Sequence, residues 1–140
     1  MYLLDTNLVS ELRKARTGKA DPGVVAWANG VSVDDLYISV ITVLELELGI
    51  LLRERRDPAQ GAMLRAWLEQ QVIPGFADRV LPIDLAIARR CAGLQVPDPR
   101  PDRDALIAAT ALVFGLTVVT RNVRDFEGAG VVLCNPWSSG

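Results

Sequence analysis

The strongest constraint on the fold of this chain is a regular alternation. Short apolar, β-branched or aromatic runs at 1–4, 36–40, 79–82, 117–120 and 131–133 read as strands. Between them lie stretches with helical signals at 7–16, 22–27, 42–56, 58–71 and 104–114, and a helix capped by Asp84 that carries Leu85, Ile87, Ala88 and Cys91. Met63, Leu64, Trp67 and Leu68 recur at three- and four-residue spacing, and Gly115 stands where a left-handed residue ends a helix. Strands separated by helices need crossover connections. The expected fold class is therefore α/β, a three-layer α/β/α sandwich around a mainly parallel sheet of about five strands. In such sheets ligands gather beyond the carboxyl ends of the strands, so the polar residues just after each strand are the ones to weigh.

At 140 residues and 50% hydrophobic content, with no internal repeat or linker, the chain is expected to be one domain spanning 1–140. No apolar run approaches the ~18 residues of a membrane span, which makes a cytoplasmic protein without membrane contact the expectation. Cys91 and Cys134 are too few and too far apart for a disulfide framework or a zinc knuckle, and read as small core residues. The chain contains no histidine, which excludes Ser-His-Asp, Cys-His and histidine-zinc chemistry. Catalysis by such a chain falls to carboxylates, and carboxylates select hard cations such as Mg²⁺ or Mn²⁺.

Four acids stand where a site would form. Asp5 directly follows the first apolar run, Glu45 lies early in the helix after the second, Asp104 opens the last long helix, and Asp125 lies just past the fourth run. Each also has a local explanation. Asp5 suits a turn or helix cap, Thr42 and Glu45 have the spacing of a capping box, Asp104 suits the positive end of a helix dipole, and Asp125 suits a turn. Parallel topology nevertheless tends to bring them together, and clustered carboxylates repel unless protons or a cation neutralise them. A divalent metal would resolve that conflict and leave room for a phosphate oxygen and a water, the requirements of phosphodiester hydrolysis.

The motifs around these acids resemble those of the PIN-domain ribonucleases, in particular the VapC and FitB-type toxins of bacterial toxin-antitoxin modules. Leu3-Leu4-Asp5-Thr6-Asn7 is similar to the family's opening, and the segment from Ile41 to Ile50 to its second motif, with Glu45 rather than Glu47 in the functional place. The segment from Asp104 to Ala111, followed by Gly115 to Asn122, is the most specific match, and Asn135-Pro136-Trp137 fits a frequent ending. The resemblance implies an Mg²⁺- or Mn²⁺-dependent endoribonuclease that cuts RNA and is silenced by a cognate antitoxin. It assigns the principal metal to Asp5 and Asp104, with Glu45 bound directly or through water and Asp125 completing the pocket or supporting a second ion. Thr6, Thr120 and Asn122 then become candidates for hydrogen bonds that orient those carboxylates. Asp102, two residues before Asp104, competes for the same role, but helix phasing with Ile107 favours Asp104.

The formal net charge of -2 means that RNA binding would need local cations. Arg13, Lys14, Arg16 and Lys19 after the first helix, and Arg121 and Arg124 beside the fourth strand, could track phosphates or simply be solvated. Trp27, Trp67 and Trp137 read as core or interface residues, and the apolar faces carrying Leu48, Leu52, Leu64 and Leu68 as core, a homodimer interface or an antitoxin seat. A phosphotransferase of the haloacid dehalogenase type needs a second aspartate where this chain has Asn7, and a response-regulator receiver needs a late lysine where the chain has only Lys14 and Lys19. The alternative that survives is a non-catalytic PIN-like module that binds RNA or protein.

Overall fold

The structure, a computed structural model, describes residues 1–138; the last two positions of the expected 1–140 unit lie outside the described residues. Its centre is a five-stranded, all-parallel sheet made of β1 (Tyr2–Leu4), β2 (Leu36–Ser39), β3 (Val80–Leu81), β4 (Thr117–Val119) and β5 (Leu133–Cys134), in the order β3-β2-β1-β4-β5. The helices are α1 (Thr6–Arg13), α2 (Pro22–Asn29), α3 (Val40–Arg56), α4 (Pro58–Trp67), the short α5 (Ile73–Gly75), α6 (Leu85–Leu94) and α7 (Asp102–Phe114). This is the expected three-layer sandwich.

The strands are short and apolar throughout because both faces of the sheet are covered. Leu4, Ile38 and Val119 turn to one face and pack with Leu8, Val24, Leu46, Ile50 and Leu68 from the first three helices and the turn after α4. Leu3 and Val118 turn to the other face and meet Ile107, Ala108 and Ala111 of α7, with Phe126 beside them. The chain builds outward from β1 through β2 to β3, then returns to place β4 on the far side of β1. The strand order thus reverses between β1 and β4, and a crevice opens there beyond their carboxyl ends. Leu4 pairs with Val119 across this seam, and the Asp5 amide extends the ladder by donating to the Val119 carbonyl at 3.0 Å.

Several expected boundaries move for identifiable reasons. Helix α3 starts at Val40, not at 42, because the buried Ser39 hydroxyl accepts from the Ile41 amide and caps it. Thr42 therefore sits inside the first turn, and the capping-box explanation of Glu45 falls. Helix α7 starts at Asp102, directly after Pro101, so Asp104 lies in its first turn and is not its opening residue. Helix α1 ends at Arg13 and tightens into a 3₁₀ turn at Lys14–Thr17, stopped by Gly18 at φ 70°. The expected helix at 58–71 leaves α geometry at Leu68–Val72, where a wider π turn precedes Pro74. Proline has no amide to donate and its ring would press on the carbonyl of Gln70, and the wider turn accommodates both. Strand β5 sits two residues later than expected at its start because Cys134 is the residue that pairs with Val119. Of the two cysteines, Cys134 packs against the first core, whereas Cys91 is half-buried on α6 and joins neither.

The α3–α4 hairpin closes tightly at Gly61, which is buried. A Cβ there would lie 2.7 Å from the Cα of Glu54 on α3. Helix propensity alone would make Gly61→Ala stabilising by about 1 kcal/mol. The clash reverses that sign, and we expect a loss of ~2 kcal/mol in urea unfolding, the cost of overpacking against backbone.

Candidate active site

The acids converge on the β1–β4 crevice. Asp5 is delivered by the last residue of β1 and caps α1, and at 7% exposure it is one of few buried acids in the chain. Its Oδ1 accepts from the Thr6 amide at 2.8 Å, and its Oδ2 accepts from the Thr120 hydroxyl at 2.8 Å and from Asn7 Nδ2 at 3.3 Å. Thr120, fully buried, is the residue directly after β4. Asn7 ties the two strand ends together: its Nδ2 also donates to Thr120 Oγ1, and its Oδ1 accepts from the Arg121 amide. The Asp5 carboxylate is thus locked by groups from both sides of the seam.

Glu45 reaches the crevice from the second turn of α3. Its Oε1 accepts from the Thr6 hydroxyl at 2.6 Å, and that hydroxyl lies 3.3 Å from the hydroxyl of the buried Thr42. Its Oε2 lies 3.7 Å from a guanidinium nitrogen of Arg103 on α7. Asp104, the neighbour of Arg103, is half-buried, and among the described residues no hydrogen-bond donor satisfies it. Asp102 turns away toward α6, accepting from Gln95 Nε2 at 3.4 Å. Asp125 lies in the 3₁₀ turn Val123–Phe126 after β4, exposed and positioned by the buried Phe126 beside it.

Electrostatics joins the four into one unit. Burial raises the Asp104 carboxyl to about 6, and the charges of Asp125, Asp5 and Glu45 push in the same direction. Burial also raises Asp5; the hydrogen bonds from Thr120 and Thr6 oppose the rise, and Glu45 and Asp125 add to it. Asp5 and Asp104 are therefore raised by their acidic neighbours as well as by burial, in a pocket that is short of positive charge. Among the described residues no three acidic or cysteine side chains converge closely enough to hold one ion together. The donor set still suits a small hard cation, because Mg²⁺ takes one or two carboxylates and keeps several waters.

Of the residues singled out in the sequence, Asp5, Glu45, Asp104, Asp125, Thr6 and Thr120 meet here. Asn122 does so only through its backbone, its amide donating to Thr120 Oγ1 at 3.0 Å while its side chain is exposed. Two participants escaped sequence reasoning. Asn7 carried a signal, a polar residue in the first turn of a helix two positions after a strand-end acid; Arg103 carried only its adjacency to Asp104.

Comparisons with known proteins identify relatives over nearly the whole chain. Residues 2–130 match the family model described as PIN domain. The chain is 39% identical over 145 residues to a VapC ribonuclease of Sinorhizobium fredii, with 98% of both chains covered. It is 37% identical over 142 residues to the toxin FitB of Neisseria gonorrhoeae, covering 98% of this chain and 99% of that one. The crystal structure of FitAcB from Neisseria gonorrhoeae superposes with a TM-score of 0.88 at 37% identity over 99% of both chains.

A carboxyl raised in the folded state, as Asp104 is, binds its proton more tightly there than in the unfolded chain. Its effect on stability is neutral below its ordinary value of 3.8 and grows unfavourable as pH rises toward about 6. In EDTA, Asp104→Asn should therefore stabilise the protein by ~1 kcal/mol at pH 7, after allowance for solvent screening, and leave it unchanged at pH 3.5. Urea unfolding of both proteins at the two pH values checks this; an equal or lower stability of the variant at pH 7 contradicts it.

Proposed function

Because the chain belongs to the PIN-domain family, we propose that it is an endoribonuclease toxin that hydrolyses RNA phosphodiester bonds and is neutralised by a cognate antitoxin. One observation carries the reading: Asp5, Glu45, Asp104 and Asp125, from four separate segments, gather at the crevice where the sheet order reverses, and the charges of Glu45 and Asp125 add to the burial that raises the Asp5 and Asp104 carboxyls. A purely structural role would call for the opposite, acids dispersed or paired with bases. The near full-length similarity to a VapC ribonuclease and to a toxin supports the same conclusion.

The residues fit Mg²⁺ or Mn²⁺. Asp5 and Asp104 would hold it, with Glu45 bound directly or through water and Asp125 completing the acidic pocket. Such an ion supplies neutralising charge and polarisation of a phosphate oxygen and a water. The protein's own part is positioning. Thr120, Thr6 and Asn7 leave the Asp5 oxygens no rotational freedom, so the carboxylate need not reorganise when charge develops. Thr6 does the same for Glu45 through a 2.6 Å hydrogen bond, while Arg103 balances its other oxygen. Asp104, which no donor among the described residues satisfies, keeps its lone pairs available.

The same reading makes the whole of 1–140 one PIN domain, working in the cytoplasm; no helix among the described residues is long and apolar enough to cross a membrane. We also assign a homodimer, supported by the outward side of α3, where Leu44, Leu48, Leu51 and Leu52 are exposed. Of the residues read as core or interface, Leu68 is buried in the core, and Leu64 packs half-buried against it.

Purified, antitoxin-free protein is expected to cut an end-labelled RNA pool into discrete fragments with Mg²⁺ or Mn²⁺ and to leave it intact in EDTA. Asp5→Asn should fall to background, and Thr120→Val should lose about 10- to 100-fold, the usual cost of removing a group that orients a ligand. Intact RNA under every metal condition, from folded protein, would establish the non-catalytic binding module instead.

A further inference from the structure

Several cations on this acidic protein are occupied. Arg65 lies among Glu47, Glu54 and Glu69, Lys14 pairs with Glu11, and Arg103 pairs with Glu45. Arg79 stacks on Phe76, but its guanidinium donates to the carbonyls of Val33, Leu36 and Gly75. Arg100 donates to the Glu127 carbonyl.

Arg13 and Arg121 differ from all of these. Each is exposed, and each lies over a tryptophan, Arg13 at 5.9 Å from the Trp67 ring centre and Arg121 at 5.8 Å from that of Trp137. Among the described residues neither guanidinium has a carboxylate or carbonyl partner. Stacking holds the plane of an arginine through its face and leaves its N–H edge free, so the group is ordered without being neutralised. Ordering a flexible arginine beforehand lowers the entropy that a bound anion must remove. A phosphodiester, singly charged and with two non-bridging oxygens that accept from parallel N–H groups, is the partner that such an edge matches.

Both arginines border the acidic crevice, from opposite sides. Arg13 lines a groove of about 240 Å³ that also takes in Thr6, Ser10, Glu45, Arg53 and Trp67, so the groove runs from α1 and α3 into the site. Arg121 directly follows Thr120, the residue that holds Asp5, and its own amide donates to Asn7. The two Trp-held guanidiniums therefore stand one on the α3 side and one on the β4 side of the four acids.

We propose that Arg13 and Arg121 are two backbone-binding positions that hold phosphates of the RNA strand on either side of the acidic site. The inference rests on the reading of the substrate as RNA, and it assigns to the tryptophans the task of presenting the arginines rather than of stacking bases. It also accounts for how a chain with net charge -2 receives a polyanion: two ordered cations at the mouth replace a basic surface. Contacts of this kind position a strand without reading its sequence.

The test is the salt dependence of binding, measured by fluorescence anisotropy with two labelled single-stranded RNA oligonucleotides of unrelated sequence, in EDTA so that nothing is cut. Arg13→Ala and Arg121→Ala should each weaken binding to both oligonucleotides alike and lower the slope of log K against log salt by about 0.7, and the double variant by about 1.4. Arg56→Ala, at the far end of α3 from the site, should leave the slope unchanged. If the wild type binds RNA and the two variants keep its slope, the assignment is wrong while the RNA reading stands. Variants that bind RNA normally but lose affinity for the antitoxin would transfer these arginines to a protein interface and overturn it. Wild-type protein that binds no RNA, with or without Mg²⁺, would remove the substrate class and this site together.

Discussion

Negative charge held in one crevice is the constraint on which the rest of this structure depends. Four carboxylates from four segments face the seam between β1 and β4, where burial disfavours the ionised forms of Asp5 and Asp104 and the charges of Glu45 and Asp125 add to the effect. A fold can sustain such a cluster only if its backbone is stiff at that point. The stiffness comes from the β1–β4 ladder, whose last rung is Leu4 on Val119, and from the Asp5 amide that continues it. Just beyond, Asn7 and Thr120 bind the two strand ends into one hydrogen-bonded unit. The site is thus a continuation of the sheet, and its precision derives from the sheet.

The two apolar cores serve that arrangement directly. Because successive residues of β1 and β4 alternate between the cores, neither strand can slip by one position without exposing one set and crowding the other. Register along the seam is therefore specified by packing, and with it the place of Asp5 relative to Thr120. Helices α3 and α7 start from the same end of the sheet, so Glu45 and Asp104 arrive in the early turns of rigid elements and not on loops. Only Asp125 comes from an irregular segment, and the burial of Phe126 holds that segment down.

Much of this was legible in the residues. The alternation of apolar runs and amphipathic stretches was sufficient for the sheet, its parallel sense and its helical layers, because those follow from periodicity and crossover geometry. The position of each acid after a strand or at the start of a helix was legible for the same reason. What escaped depended on burial and on distant partners. Nothing local distinguishes Ser39 as a cap from Thr42 as one until Ser39 is seen to be buried, and that difference changes Glu45 from half of a capping box into a site residue. Asp102 and Asp104 are separated by which neighbour each faces, Gln95 or the other acids. The Arg13–Trp67 and Arg121–Trp137 pairs join residues far apart along the chain, and no spacing rule announces them. Electrostatic identity within the cluster was equally hidden, since it depends on distances that only the folded chain defines.

The most direct measurement of the central claim, that this crevice is built around missing positive charge, is the melting temperature as a function of Mg²⁺ concentration at pH 7.5, where Asp104 is ionised. Preferential binding to the folded state predicts a melting temperature that rises logarithmically once the ion exceeds its dissociation constant, with the rise abolished in Asp5→Asn. A wild-type melting temperature that ignores both Mg²⁺ and Mn²⁺, or a rise of equal size in Asp5→Asn, would contradict the account.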